Sequence, residues 1–288
     1  MKFIKSYMLG ITATFKRTKI LFLLYIFTLL FALTAALPFK SAIANDIDSS
    51  MAAFKLLKDF DYPTYTNFMH LFGNTIKPLY KVALFLGVFY TIFSVFFSGG
   101  IISSFVNKEK SASLSKFWAD SWTYLSRFFR LFIYILILQI IVALLVFFPV
   151  AAIISSINSS IQSEATYFYI AITGVIIYLF LLTIIILISD YTKIMMINDK
   201  ALRPFRTMIR SFAYVFRHFF SVYGMNLLFI ISGIILFIIY FFISDKVGMT
   251  SGFTIFVMFL IQQLFIICRL FLKISVYGGE VSLVNKIG

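Results

Sequence analysis

The chain has few of the residues on which soluble folds and enzyme chemistry depend. It contains one cysteine and two histidines among 288 residues, so an internal disulfide and a cysteine cluster for a metal are both excluded. Charged residues make up only 12% of the sequence, whereas soluble domains carry about 25%. Too few polar side chains remain to cover the surface of a soluble protein.

Catalytic motifs are also absent from the sequence. There is no His-Glu-x-x-His pair, no Gly-x-Ser-x-Gly turn and no glycine-rich phosphate loop. His70 and His218 have no acidic residue at helical spacing. We therefore predict no catalytic residues, no metal and no cofactor, and we interpret the chain as a non-enzymatic protein.

What the sequence has in abundance is apolar residues, at 61% of the total. About 20 consecutive apolar residues suffice to cross a bilayer as a helix. Six such stretches occur, at Ile20–Leu37, Leu79–Val106, Phe128–Ile157, Thr166–Ser189, Val222–Ser244 and Phe253–Val276. The first stretch precedes a small-x-small pattern typical of signal cleavage, but its length and its basic flank favour an uncleaved helix.

An internal repeat organises these stretches. Segments around Asn107 and Asn198 align without a gap, which also places Trp118 on Ile209 and Leu125 on Phe216. A similar segment opens the chain, and Asn-Lys recurs near its end. Because repeats define architecture, we predict an all-α integral membrane protein with six transmembrane helices arranged as three repeated hairpins. Together they form a single membrane domain over residues 1–288, with repeats at about 1–110, 111–201 and 202–288.

Each repeat begins with a basic amphipathic segment. Apolar residues recur at helical spacing, as Ile4, Met8, Ile11 and Phe15, as Trp118, Trp122, Leu125 and Phe129, and as Ile209, Ala213, Phe216 and Phe220. Basic residues opposite such stripes are typical of a helix in the headgroup plane, and the alternative is a plain extension of the next span. The predicted lipid-headgroup surface comprises Lys16, Arg17, Arg127, Arg130, Arg203, Arg206, Arg210 and Arg217.

Charge predicts the orientation in the membrane. With both termini and the segments near 107–128 and 190–218 on one side, that side carries 19 of the 25 basic residues and five of the 11 acids. The positive-inside rule makes this side cytoplasmic. We expect a multi-pass protein of the bacterial inner membrane with both termini cytoplasmic. Its expected partners are the lipid bilayer and anionic headgroups, and not nucleic acid.

The first outer loop, predicted at residues 38–78, is long. Its apolar spacing predicts two short helices, over 50–60 and over 64–73, with a turn at Asp61-Tyr62-Pro63 and Gly73 as a stop. Such helices form a lid, a surface for a protein partner, or simple packing on the bundle.

A few polar residues interrupt the spans. Gln262, Arg269 and Lys273 share a helix face, and Asp190 and Glu280 are acids placed to pair with them. Ionisable residues in a membrane span usually face protein or water. We interpret these five residues either as a structural ion pair with a snorkelling arginine or as a cationic site for a phosphate or lipid headgroup.

In outline, this alternation of basic segments and helical hairpins resembles the multi-pass membrane region attached to some bacterial glycerophosphodiester phosphodiesterases and related bacterial membrane families. No phosphodiesterase catalytic segment is present, so the resemblance implies a fold and no activity. We expect a protein that binds, senses or transports an anionic lipid or small amphiphile. The alternative is a structural or assembly subunit contacted through loop 38–78.

Overall fold

A computed structural model describes residues 2–42, 55–56, 60–107, 113–157, 164–200, 203–247 and 251–287. These residues form eight helices and, within the ranges just given, no strand. The helices are α1 (Lys2–Phe15), α2 (Thr18–Ala42), α3 (Tyr62–Val106), α4 (Leu114–Ile157), α5 (Glu164–Asn198), α6 (Pro204–Arg217), α7 (Phe219–Lys246) and α8 (Gly252–Ile287).

Six of these helices, α2 to α5 with α7 and α8, are long and apolar enough to cross a membrane. An apolar chain in lipid adopts a helix because every backbone N–H and C=O must find its partner within the chain. The six predicted spans are therefore confirmed as long apolar helices. Several run beyond the apolar stretch itself, and α3 alone has 45 residues.

The first outer loop differs from its prediction. Helix α2 continues through Pro38 to Ala42, and α3 runs from Tyr62 through Gly73 and past Pro78 without a stop. Asp61 accepts a hydrogen bond from the Thr64 backbone N–H at 3.2 Å, so the predicted turn is the N-cap of a long helix. Most of the helix predicted over 50–60 lies outside the described residues.

Two of the three basic segments are separate helices. α1 is divided from α2 by a turn in which the Arg17 N–H donates to the Thr14 carbonyl at 2.8 Å. α6 starts where Arg203 is extended before Pro204, as a residue preceding proline should be. It ends at Arg217, with His218 as its C-cap. The middle segment differs, because Leu114–Ile157 is one continuous helix.

The chain divides into two compact units, Phe22–Ser94 and the combination of Met1–Leu21 with Val95–Gly288. In the first of these, α2 and α3 pack through aromatic side chains. The ring of Phe31 lies 5.9 Å from that of Tyr90 and 5.6 Å from that of Phe93.

The second unit, which we call the main unit, contains the larger core. Its centre is a cluster from α5 to α8 that includes Tyr191, Val215, Met225, Phe229 and Leu283. Side chains of α1 pack against the same cluster. The core therefore brings residues from the beginning, the middle and the end of the sequence together.

Candidate functional site

Three helix junctions meet at one end of the main unit. α1 joins the C-terminal part of α8, where the Ser275 hydroxyl donates to the Thr14 hydroxyl at 3.0 Å. The C-terminal part of α3 meets the start of α4, where Ser103 donates to Asp120. α6 meets the end of α5, where the Ser211 hydroxyl donates to the Ile188 carbonyl at 3.1 Å. We call this region the basic end, because it holds most of the Lys and Arg residues of the main unit.

Small residues make these junctions close. A Cβ on Gly10 would lie 2.5 Å from the Ser275 carbonyl oxygen and 2.7 Å from the Gly279 nitrogen. A Cβ on Gly100 would overlap Ser121 and Phe117. Small side chains at such crossings let membrane helices approach and gain van der Waals contact. The buried face of α1 is accordingly Ser6, Gly10 and Thr14, and that of α6 is Pro204, Thr207, Ser211 and Val215.

Most residues of the three predicted apolar stripes point away from this packing, although Ile11 packs against the core cluster. Met8 and Phe15 on α1, Trp122 on α4 and Phe216 on α6 are all exposed, Trp122 to 72%. A soluble protein would bury such side chains, because exposed aromatic surface in water is costly. The stripes therefore present apolar surface outward beside the basic residues, and their position in the headgroup plane stays a prediction.

A pocket of about 480 Å³ opens between α1 and α8 at the basic end. Its cationic lining residues are Lys16, Arg17 and Lys286, and its lining includes no carboxylate. Thr12, Ser282 and Asn285 add neutral polar groups, and Leu9, Ala13, Phe105, Gly278 and Val281 complete the wall. We call this the basic pocket.

Arg17 is fixed in the wall of the basic pocket. Its side chain is only 5% exposed, and its guanidinium lies 3.9 Å from the centre of the Phe105 ring. It donates to the Ser104 hydroxyl at 3.0 Å and to the Ala13 carbonyl at 2.8 Å. A guanidinium held in this way is preorganised, because little side-chain freedom is left to lose on binding a ligand.

The predicted headgroup surface is otherwise mostly exposed. Arg203, Arg206, Arg210 and Arg217 line the outside of α6, and Lys16 and Arg130 are also exposed. Arg127 is half-buried near the ring of Tyr124. Arg210 forms an exposed ion pair with Asp199 at 3.1 Å. Arg17 is the departure from the prediction, because it is buried in a pocket wall and not spread on a surface.

The five polar residues predicted as one site do not all lie together. Gln262 and Glu280 are 18 positions apart on α8, which is about 27 Å along a helix at 1.5 Å per residue. Arg269 and Lys273 are exposed, whereas Asp190 and Glu280 are buried. Lys273 interacts electrostatically with Asp190 and Arg269. The structure thus brings Asp190, Glu280 and Lys273 into one neighbourhood and leaves Gln262 far along the helix.

The centre of that neighbourhood is a residue that the sequence did not single out. The Lys193 ammonium donates to the Asp190 carboxylate at 2.7 Å and lies 5.9 Å from the centre of the Tyr277 ring. Glu280 is 1% exposed and interacts electrostatically with both members of the pair. We call Asp190, Lys193, Tyr277 and Glu280 the buried ion cluster. Lys193 has one sequence signal, its helical i+3 spacing from Asp190.

The basic pocket and the buried ion cluster lie on different faces of α8. Gly278, Ser282 and Asn285 face the pocket, whereas Tyr277 and Glu280 belong to the cluster. At 3.6 residues per turn, Glu280 points roughly 200° away from Gly278 around the helix axis. One helix thus carries a cationic surface on one side and two buried ionisable groups on the other.

Tyr214 is a half-buried residue of α6, outside the long apolar helices. Its hydroxyl has no hydrogen-bond partner within the described residues, and its ring lies 5.0 Å from that of His218. Burial raises the pKa of Tyr214 to about 12, because the charged phenolate is poorly solvated there. The group is therefore neutral at physiological pH.

Comparison of the chain with family models, curated proteins and solved structures finds no match. The resemblance to the phosphodiesterase-associated membrane region therefore stays a prediction. The six long apolar helices define the class: the chain is an all-α, multi-pass membrane protein in contact with lipid. No group of three or more His, Cys, Asp or Glu residues suited to a metal occurs among the residues described above.

Proposed function

We propose that the protein binds an anionic, phosphate-bearing amphiphile, with the headgroup in the basic pocket and the apolar chain along the outside of α1 and α8. The observation that carries this proposal is the pocket lining, with three cations and no carboxylate around about 480 Å³. Ligand pockets span roughly 300–1,000 Å³, so a phosphate headgroup has room to enter.

The chemistry of the lining favours phosphate. Lys16 and Lys286 supply mobile ammonium groups that can reach phosphate oxygens. Arg17 adds a fixed positive charge in the wall, because its guanidinium already donates to Ser104 and Ala13. Basic pockets between helices on the cytoplasmic side are typical sites for anionic lipid headgroups. The hydroxyls of Thr12 and Ser282 and the amide of Asn285 add neutral hydrogen-bonding groups.

The surroundings favour an amphiphile over a soluble anion. Leu9, Phe105 and Val281 make part of the pocket wall apolar, and the exposed stripe of α1 continues outward from it through Met8 and Phe15. A free phosphate has no apolar group to bury on such a surface. An acyl chain gains about 0.8 kcal/mol for each buried CH₂ group.

Binding to the full chain in detergent tests the proposal. The probes are short-chain phosphatidic acid, the zwitterionic short-chain phosphatidylcholine and inorganic phosphate. Replacing Lys16 and Lys286 with Gln removes two charges that contribute about 1 kcal/mol each, so affinity for phosphatidic acid should fall about 30-fold. The matched control replaces Lys2 and Lys5, which lie on α1 and do not line the pocket.

The outcomes separate three explanations. A loss confined to the pocket pair, with weak phosphatidylcholine binding, supports the pocket. Equal losses for both pairs would indicate diffuse surface attraction and contradict it. If inorganic phosphate binds as tightly as phosphatidic acid, the ligand is a soluble anion and the proposal of an amphiphile is wrong.

A further inference from the structure

Glu280 has an environment that an ordinary structural carboxylate does not have. Its side chain is 1% exposed, and neither carboxylate oxygen has a hydrogen-bond partner among the residues the structure describes. A buried polar group is normally paired, because leaving it unpaired forfeits the hydrogen bonds it had with water. An ionised Glu280 carboxylate therefore lacks hydrogen-bond donors, and its negative charge requires a further positive group nearby.

The groups around Glu280 do not supply that charge. Helix α5 contributes Asp190, Lys193 and the Tyr191 ring, and α8 contributes Tyr277. From α7, Met225 and Phe229 pack on the neighbouring Gly279, and α1 presents Gly10 and Thr14 to the same helix. α6 contributes Tyr214 next to Tyr191. Lys273 interacts electrostatically with Asp190 and Lys193, but it is not among the charged groups that act on Glu280. Lys193 is therefore the ammonium that Glu280 shares with Asp190.

Geometry assigns that ammonium to one of the two acids. Lys193 is 2.7 Å from Asp190 and hydrogen-bonds to it, and Glu280 is left with an electrostatic contact only. An uncompensated buried charge is strongly destabilising. The simplest compensation is one proton, because a protonated carboxyl is neutral and adds an O–H donor to a cluster rich in acceptors.

We propose that Glu280 is a proton-binding site of the helix bundle, neutral as a carboxylic acid beside the Asp190–Lys193 ion pair. Uptake forms one O–H bond on Glu280 from a solvent proton, and release returns that proton and leaves a carboxylate. This site lies on the face of α8 away from the basic pocket and does not depend on what the pocket binds.

Infrared spectroscopy of the full chain in a detergent without ester groups tests this. At about pH 8, exposed Asp and Glu side chains are ionised, so a carboxylic-acid C=O band reports a buried protonated group. The expected result is a band in the wild type that disappears in Glu280→Gln and persists in Asp199→Asn, an exposed acid paired with Arg210. Gln has the shape and neutrality of the protonated acid, so the melting temperature of Glu280→Gln should stay close to that of the wild type.

Asp190→Asn provides a second test that does not need Glu280→Gln to fold. Lys193 then has Glu280 as its remaining acid within the cluster, so Glu280 should ionise to pair with it and the band should fall. A wild type without the band, or a band that persists in Glu280→Gln or in Asp190→Asn, overturns the proposal. So does a band that sodium chloride removes and choline chloride does not, since the cluster then binds a metal cation in place of the proton.

Discussion

Gly10 lies directly against the backbone of α8. The atoms that a new Cβ would meet are a carbonyl oxygen and an amide nitrogen, which cannot rotate away as a flexible side chain can. The structural role of this glycine follows from its neighbours and not from its own conformation, because its φ is not positive.

Gly10→Ala should therefore loosen α1 from α8. We expect a loss of about 1–3 kcal/mol in the free energy of unfolding, the usual cost of overpacking, measured by denaturant unfolding in detergent. Gly233→Ala is the matched control, because nothing lies within 4 Å of its added Cβ. That change should stabilise the helix by about 0.5–1 kcal/mol. Equal effects of the two substitutions would contradict the close crossing.

Tyr214 gives a prediction about alkaline pH. An unfolded tyrosine has a pKa of 10.0 and the folded Tyr214 about 12, so the unfolded state releases its proton first as pH rises. The stability that Tyr214 contributes is present below pH 10 and is lost between about pH 10 and 12. The free energy of unfolding of Tyr214→Phe should fall less steeply with pH over this range than that of the wild type. Denaturation followed by circular dichroism at several pH values measures this.

At neutral pH the same substitution should cost little. The Tyr214 hydroxyl is buried without a partner within the described residues, so its removal forfeits no hydrogen bond and can be neutral or stabilising. A loss of stability at pH 7 comparable with that of a core deletion would show that the hydroxyl is bonded in solution.

The sequence predicted part of the buried ion cluster and missed part of it. Asp190 and Glu280 stood out because they are acids beside apolar spans, placed to pair with the basic residues of α8. Lys193 did not, because its partners Tyr277 and Glu280 are more than 80 positions away along the chain and only packing brings them near. Gln262 was grouped with Arg269 and Lys273 because the three share a helix face. Residues on one face can still lie far apart along the helix axis, and Gln262 does.

At the scale of the helices, apolar spacing grouped residues into stripes but did not show what each stripe faces. Ile209 and Phe216 are exposed on α6, whereas Ile11 of the first stripe packs against the core of the main unit. The buried faces of α1 and α6 are made mostly of small and hydroxyl-bearing residues, which a search for apolar spacing passes over. Helix ends were harder to predict. Gly73 and Pro78 indicate the end of a helix in a soluble protein, but a membrane helix can continue through both because neighbouring groups satisfy the freed backbone atoms.

The four arginines of α6 should hold that helix on anionic lipid. Each contributes about 1 kcal/mol near a charged surface, with less from Arg210 because Asp199 shares its charge. Replacing all four with Gln should raise hydrogen exchange across 204–217 in anionic nanodiscs and change little in neutral ones.

A matched control replaces the exposed Lys40, Lys77, Lys81 and Lys246, which are predicted to face the other side of the membrane. That variant should leave exchange in α6 unchanged. If hydrogen exchange in α6 is equal in neutral and anionic lipid and does not change with the four arginine substitutions, packing against the protein alone holds the helix in place.

For the whole molecule, the contact between Gly10 and Gly279 places the two ends of the sequence at the same end of the main unit. Six helices are long enough to cross a membrane, and an even number of crossings also leaves both ends of the chain on the same side. Because the basic residues concentrate at this end, we predict that it faces the cytoplasm.

A reporter fused after residue 288 tests that orientation. A fluorescent protein that folds only in the cytoplasm should be active there, and a phosphatase that folds only outside should be inactive. The opposite pattern would reverse the orientation, and activity of both fusions would indicate mixed insertion. A fusion within the 248–250 segment, between α7 and α8, should behave in the opposite way and serves as the control.

The junction of α1 with α8 also sets the timing of assembly. Thr14 and its partner Ser275 are 261 residues apart, and at roughly 5–20 residues per second a ribosome needs roughly 13–50 s to make the intervening chain. During that time the Ser6–Gly10–Thr14 face has no α8 to cover it. A chain halted before α8 would leave this face of small and hydroxyl-bearing residues without its partner helix, so an unfinished molecule differs from a finished one at α1 itself.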